Sequence, residues 1–444
     1  MTRIVVIGGG PGGTAAAANA IQTDRSASVT LITEFADIAY SPCGIPYVFG
    51  REVASFEDLF LQNAEFYAKM GLDLRTNTVA KRIDIKEKVV YTETDTFPFD
   101  KLVIATGWGY EAPDVPGADL KGIWYLKDIR RAMKIDPLLD QCKTALVYKG
   151  KPLAIEMALA LSHRGIQVHV VDEYPWLCAD FVDPEIMKPI QDELEKVGVQ
   201  FHLGTQLKEI KGRDGHVCGF LTNEGEYPCD IVFVTGPVKP STELARSIGV
   251  KCGSTGGIVV DDHMRTNVQD VYAVGACVEI IHGFLRIPIH ILPSTFAYPQ
   301  GRIAGINAVG GDMAYYPVFG PWGMIVGKVQ ASGVTVSETM AKALGIPYFV
   351  GQATGLTAAR YHPSSEKLFV KLIADRKTHR LIGAEMVGGE GAKERADFLA
   401  FAMRKGATLD ELATMENVYS PSIGALNEPI ALAARNGLDL LSKK

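Results

Sequence analysis

Gly8, Gly10 and Gly13 fall in the spacing G-x-G-x-x-G. Each glycine answers a separate steric demand. The first permits a tight turn, the second lets backbone approach a pyrophosphate, and the third lets a helix pack close to a strand. Pro11 lies among them at a helix-start position, where a missing N–H costs nothing. Glu34 comes farther on, where a carboxylate can accept hydrogen bonds from the hydroxyls of an adenosine ribose. Shortly after it stands Cys43, inside Tyr40-Ser41-Pro42-Cys43-Gly44-Ile45-Pro46-Tyr47. A cysteine at the N-terminal end of a helix is expected to be held as thiolate, the form that attacks disulfides. The alternative is a small buried apolar side chain.

Elements suited to positioning these residues surround them. Residues 3–7 are a short apolar run of the kind buried in a parallel sheet. The alanine-rich stretch after the glycines favours a helix, and residues 28–33 read as a strand running into Glu34. Strand, glycine turn, helix, strand and acid make a βαβ nucleotide-binding unit. The unit partly repeats: residues 144–148, 154–164 and 167–171 read as strand, helix and strand, followed by Asp172. Residues 101–107, ending in Ala105-Thr106-Gly107, and residues 230–236 read as further buried strands, one per unit. Residues 257–261 and 270–275 add two more. Farther on, residues 367–373 and 381–387 read as paired antiparallel strands among helices. The expected fold is α/β, with two Rossmann-like domains and a C-terminal α+β domain. The expected divisions are 1–112 with 245–325, then 113–244, then 326–444.

Composition narrows the classes. Hydrophobic residues are 47% and charged residues 22%, enough to build packed cores and too apolar for a disordered chain. A net charge of −6 lacks the basic footprint of a nucleic-acid binder. No apolar run is long enough for a membrane span, and no leader is visible. Seven cysteines lie scattered without C-x-x-C or Cys/His ligand spacing. They suggest reduced thiols in a cytoplasmic protein with no metal site. Cys142, Cys178, Cys218, Cys229, Cys252 and Cys277 lie in no setting comparable to that of Cys43 and are read as structural.

The opening glycine loop, the Cys43 segment, Ala105-Thr106-Gly107, and the pair Tyr361 and Tyr419 together resemble the single-cysteine branch of the pyridine nucleotide-disulfide oxidoreductases. That branch includes coenzyme A-disulfide reductases, NADH oxidases and peroxidases, and persulfide reductases. The resemblance runs over nearly the whole chain, through Asp183-Pro184-Glu185-Ile186, Met264-Arg265-Thr266 and Gln300-Gly301-Arg302-Ile303-Ala304-Gly305. It implies FAD held by Gly8, Gly10, Pro11, Gly13, Glu34, Ala105, Thr106, Gly107, Gly275, Ala276, Pro293, Ser294 and Thr295. It also implies a second domain for NAD(P)H, with Gly150 and Asp172 as possible contacts, and a C-terminal domain that forms a homodimer. Cys43 becomes the redox cysteine, with Tyr361 and Tyr419 reaching its sulfur from the partner subunit.

Three departures bear on function. Lys149, Lys151 and Ala154 stand at the glycine positions of the second loop, with Pro152 inside the turn, which argues against ordinary NAD(P)H binding. Ala276 replaces the aspartate that members of this family use on the ribityl chain. The first helix has a neutral Ala18-Asn19-Ala20-Ile21-Gln22 where coenzyme A-specific members carry arginines. The reading that follows is an FAD-dependent thiol-disulfide or persulfide oxidoreductase acting on a small sulfur substrate. One alternative is a flavoprotein electron-transfer subunit that docks a redox partner protein and does not use NAD(P)H in the usual site. A second is a non-enzymatic binding protein on the same fold.

Overall fold

Arg3–Ile7 is buried from Ile4 onward because it lies at the middle of a parallel sheet. In the computed structural model, which describes residues 1–443, that sheet runs Val271–Ala273, Lys101–Ile104, Arg3–Ile7, Ser28–Ile32, Asp73–Arg75. All its pairings are parallel, with Ile7 opposite Ile32 and opposite Ile104. The helix Pro11–Thr23 covers it, and the helix Ser294–Ala308 packs on that helix in turn. The two helices meet along small residues. A Cβ at Gly301 would stand 2.1 Å from the Gly12 carbonyl oxygen, and one at Gly305 would stand 2.2 Å from that of Ala16.

The second sheet repeats the first: Gln200–Leu203, Gln167–Asp172, Thr144–Tyr148, Ile231–Val234, Ile123–Tyr125, again all parallel. The helix Pro152–His163 follows its central strand. The expected antiparallel pair is present in a third sheet. There Lys367–Asp375 pairs with Leu381–Gly388, flanked by Tyr348–Leu356 on one side and by Val329–Val334 and Pro321–Val326 on the other. The α/β fold with two Rossmann-like units and an α+β C-terminal unit is thus the observed one. No helix among the described residues is long and apolar enough to cross a membrane.

A buried charge cluster joins the second sheet's domain to the third. The Lys371 ammonium, 3% exposed, lies 2.9 Å from Asp183, 2.5 Å from Glu185 and 2.6 Å from Glu338. Asp183 also accepts the backbone N–H groups of Glu338 and Thr339, at the start of the helix Glu338–Ala343. Burial opposes the Asp183 charge, but hydrogen bonds with Glu385, Thr339 and Lys371 outweigh it and hold its carboxyl at about 2. Burial pushes the Glu385 carboxyl up, well above the usual carboxylate range. Asp183, Glu185 and Glu338 have the spacing of a cation site, and the lysine ammonium stands in the cation's place.

Candidate functional site

The first glycine loop meets each of its steric demands. Gly8 has φ +114°, a region open to glycine, and a Cβ there would stand 2.1 Å from the Ala105 carbonyl oxygen. A Cβ at Gly13 would stand 1.9 Å from the Gly8 carbonyl oxygen, so helix and strand are as close as backbone allows. A Cβ at Gly10 would meet nothing within 4 Å, which leaves a backbone cradle open at the helix N-terminus. Pro11 is the first helical residue, and no side chain caps the helix. Glu34 is exposed, just past the end of its strand, and has no hydrogen-bond or ion partner among the described residues.

Around this cradle stand the other expected residues. Ala105 continues the strand Lys101–Ile104 by donating to the Ile7 carbonyl, and Gly107 turns away with φ +70°. Gly275, φ +79°, donates its N–H to Gln300 Oε1 at 2.7 Å, which ties this turn to the helix Ser294–Ala308. The Ala276 carbonyl is 2.7 Å from His290 Nε2, and the methyl group offers no acceptor. Pro293, Ser294 and Thr295 are exposed at the start of that 15-residue helix, again without a side-chain cap. Sequence reasoning missed Lys127. Its Nζ donates to the Trp108 carbonyl and lies 5.2 Å from the centre of the Trp108 ring. Burial lowers its pKa, and Glu34 partly offsets this. No carboxylate among the described residues lies within ion-pair distance of it. A Cβ at Gly107 would stand 3.8 Å from Lys127 Nζ, so a half-buried cation without a counter-ion lies beside the Ala105-Thr106-Gly107 turn. No motif announces it; it follows the edge strand Ile123–Tyr125.

The second loop has the same backbone course and opposite chemistry. Tyr148 pairs with Val171 as Ile7 pairs with Ile32. By this register Lys149 is the counterpart of Gly8, and Glu173 is the counterpart of Glu34. Asp172, the residue expected to meet a ribose, points inward. It is 1% exposed, accepts the Gly150 N–H at 2.6 Å, and accepts the Tyr174 N–H at 3.2 Å. Lys149 takes φ +79° despite its side chain, a conformation that costs a non-glycine residue on the order of 1 kcal/mol. Its ammonium pairs with Glu173 and lies 4.8 Å from the centre of the Tyr148 ring. Lys151 pairs with Asp180 at 2.7 Å and lies 5.3 Å from the Tyr174 ring. The two lysines therefore latch the loop to the segment after the strand. The amide and the acids that a dinucleotide would use are already bonded within the chain.

Cys43 sits in the one-turn 3-10 helix Pro42–Gly44, which leads into the five-residue helix Ile45–Phe49. The residue is exposed to solvent. The expected lowering of its pKa is not found. Burial pushes the thiol up, the Glu156 carboxylate adds to this, and only the residue's own backbone N–H works the other way. A single 3-10 turn before so short a helix supplies little aligned dipole, so desolvation wins. Of the other cysteines, Cys178, Cys229 and Cys277 are buried, Cys142 and Cys252 are half-buried, and Cys218 is exposed; all are free thiols.

Tyr361 and Tyr419 come together on the C-terminal unit, with hydroxyls 3.5 Å apart. Tyr361 is 75% exposed and Tyr419 49% exposed. Neither has a hydrogen bond to Cys43 within the chain. Val418, Ile423 and Leu426 are exposed in the same stretch of sequence, and Leu292 and Tyr298 are exposed around the start of the helix Ser294–Ala308.

Comparison with known proteins places this arrangement. The family described as pyridine nucleotide-disulphide oxidoreductase matches residues 2–296, and its dimerisation domain matches residues 323–429. An NADH oxidase of Methanocaldococcus jannaschii is 32% identical over 451 residues, covering 100% of both chains. A CoA-dependent NAD(P)H sulfur oxidoreductase of Pyrococcus abyssi is 27% identical over 97% of each. Among solved structures, an NAD-dependent persulfide reductase from A. fulgidus superposes with a TM-score of 0.96 at 30% identity, covering 99% of this chain and 84% of that one.

Proposed function

The chain belongs to the pyridine nucleotide-disulphide oxidoreductases, and from that premise we propose that it is an FAD-dependent thiol-disulfide or persulfide oxidoreductase with Cys43 as its redox cysteine. The observation that carries this reading is an exposed Cys43, with no second cysteine near it in sequence, in a chain whose first nucleotide cradle is intact. FAD would be held by the Gly8–Gly13 loop, Glu34, Lys127, Ala105 to Gly107, Gly275, Ala276 and the helix that starts at Ser294. When bound, it supplies a reserve of two electrons.

The chain's own chemistry centres on sulfur. The Cys43 thiolate attacks one sulfur of a small disulfide or persulfide; a Cys43–sulfur bond forms, the substrate's sulfur–sulfur bond breaks, and one thiol leaves. Two electrons and a proton then reopen the mixed disulfide and release the second thiol. The dimerisation domain supports a homodimer. In it the exposed phenols of Tyr361 and Tyr419 would face the partner's Cys43 cleft and donate to a developing thiolate. The relatives named for CoA-dependent and persulfide chemistry point to a small thiol carrier or a persulfide as substrate.

The test is anaerobic reduction of the FAD-loaded protein with dithionite, followed by addition of CoA disulfide or polysulfide. The reading expects a long-wavelength thiolate–flavin absorbance while the flavin is oxidised, its loss on full reduction, and reoxidation by one equivalent of disulfide. A reduced protein inert to every disulfide and polysulfide would reject it. The cradle makes a second demand. Gly13→Ala places a methyl group against the Gly8 carbonyl, so this variant is expected to purify with little bound flavin and a melting temperature lower by several degrees.

A specific observation favours a second reading for the electron source. The latched second loop supports a flavoprotein that takes electrons from a partner protein rather than from NAD(P)H in the usual site.

A further inference from the structure

The segment that carries Cys43 runs beside the helix Pro152–His163, and two contacts just past the short helix Ile45–Phe49 fix how they lie. At the far end Glu52 lies 3.7 Å from His163 Nδ1. A little earlier, a Cβ at Gly50 would stand 3.1 Å from Ala160 Cα. The segment from Cys43 to Glu52 thus runs parallel to the helix Pro152–His163, with position 50 opposite 160 and position 52 opposite 163. Glu156 lies one helical turn before Ala160, on the same face, and so faces the turn that carries Cys43 and Tyr47. The charge of Glu156 acts on both of those residues.

Glu156 is an unusual occupant of that place. It is half-buried, and among the described residues no hydrogen bond or ion pair satisfies its carboxyl. The titratable groups that face this corner are Cys43 and Tyr47 from the cysteine segment and Tyr110 from the strand Trp108–Tyr110; none is a cation. Glu52 and His163 lie beyond them and face each other. Burial pushes the Glu156 carboxyl up to about 7, so near neutral pH it exchanges a proton readily.

We propose that Glu156 is the proton carrier for sulfur exchange at Cys43, taking the thiol proton and returning it to the leaving thiolate. The proposal rests on the Cys43 reading above. The step balances: Cys43–SH and RS–SR′ give Cys43–S–SR and R′SH. The bond between the two substrate sulfurs breaks, the bond to Cys43 forms, and the proton passes from Cys43 through Glu156 to R′S⁻. No oxidant or reductant is consumed. Solvent can ionise the free thiol between encounters, but within the substrate complex it is a poor donor to the leaving thiolate.

The experiment compares FAD-loaded wild type, Glu156→Gln and Cys43→Ser at pH 8 with three probes: iodoacetamide, 5,5′-dithiobis(2-nitrobenzoate) and 2-hydroxyethyl disulfide. Iodide and the nitrothiolate leave readily without a proton, whereas the far more basic hydroxyethyl thiolate leaves faster with one. Loss of the Glu156 charge lowers the Cys43 pKa. Glu156→Gln is therefore expected to speed alkylation about threefold or more and leave the nitrobenzoate reaction equal or faster. It is expected to slow exchange with hydroxyethyl disulfide at least about tenfold. All three rates rising together would mean simple charge repulsion and would overturn the proposal. All three falling together would mean a structural role, and no change would mean no role; either overturns it too. The Cys43→Ser control separates the two levels, because labelling that persists without Cys43 would sink the cysteine reading itself.

Discussion

Cys43→Ser is expected to give a yellow, folded protein whose disulfide exchange falls by about a thousandfold or more. Serine matches the shape of cysteine, and the residue is exposed to solvent. The close packing here belongs to Gly44 against Leu59, which the substitution leaves alone. A hydroxyl does not ionise in the accessible pH range, so neither the mixed disulfide nor a thiolate absorbance against oxidised flavin can form. The remaining thiols are poor substitutes. Burial pushes Cys229 up to about 12, and Cys178 and Cys277 are also buried and raised. Cys218 is exposed on the strand His216–Thr222 of a separate meander, far in sequence from the nucleotide cradle. Stopped-flow absorbance with CoA disulfide checks the rate, and the flavin spectrum checks folding. A residual rate within tenfold of wild type would move the redox role to another cysteine.

What could be read from sequence was what local backbone sterics decide. The Gly8, Gly10 and Gly13 spacing specifies a turn, an opening and a close approach among near neighbours in the chain, and all three are present. The strands and their alternation were legible for the same reason, since a buried parallel strand must be apolar on both faces. What needed a partner element was not legible. Asp172 looks like the ribose acid because it ends its strand, but the Tyr148–Val171 register gives that position to Glu173. Lys127 has no motif, because its importance comes from Trp108 and Glu34, which belong to other segments. The Cys43 environment misled in a similar way. The sequence suggests a thiolate-stabilising helix start, but the helix is one short turn, and the charge that acts on the thiol is the distant-in-sequence acid Glu156.

The latch on the second loop leads to the other large effect. NADH and NADPH are expected to bind the wild-type flavoprotein weakly, with half-saturation above roughly 1 mM, an affinity of only about 4 kcal/mol. A dinucleotide entering this loop would have to displace Lys149 from Glu173 and Lys151 from Asp180, and it would still find Asp172 buried and bonded to the Gly150 amide. Each ion pair is partly exposed and contributes about 1 kcal/mol or less. The larger obstacle is steric, because both lysine chains rise where backbone amides should touch phosphate. Lys149→Gly with Lys151→Gly removes both chains, relieves the φ +79° conformation, and frees Glu173 to face a ribose. The double variant is expected to tighten NADH by about ten- to a hundredfold, or ~1.4–2.8 kcal/mol. Adding Glu173→Gln should cancel much of that gain, because the freed carboxylate is what would hold the ribose hydroxyls. Fluorescence titration measures the affinities, and anaerobic flavin bleaching by NADH measures whether the bound nucleotide delivers electrons. Tight wild-type binding, in the range of tens of micromolar, would show that the latch opens on demand and would restore NAD(P)H as the donor. Weak wild-type binding with recovery in the glycine variant would instead leave the intact fold with its electrons entering from elsewhere, and a docking redox protein is the source that such a closed loop favours.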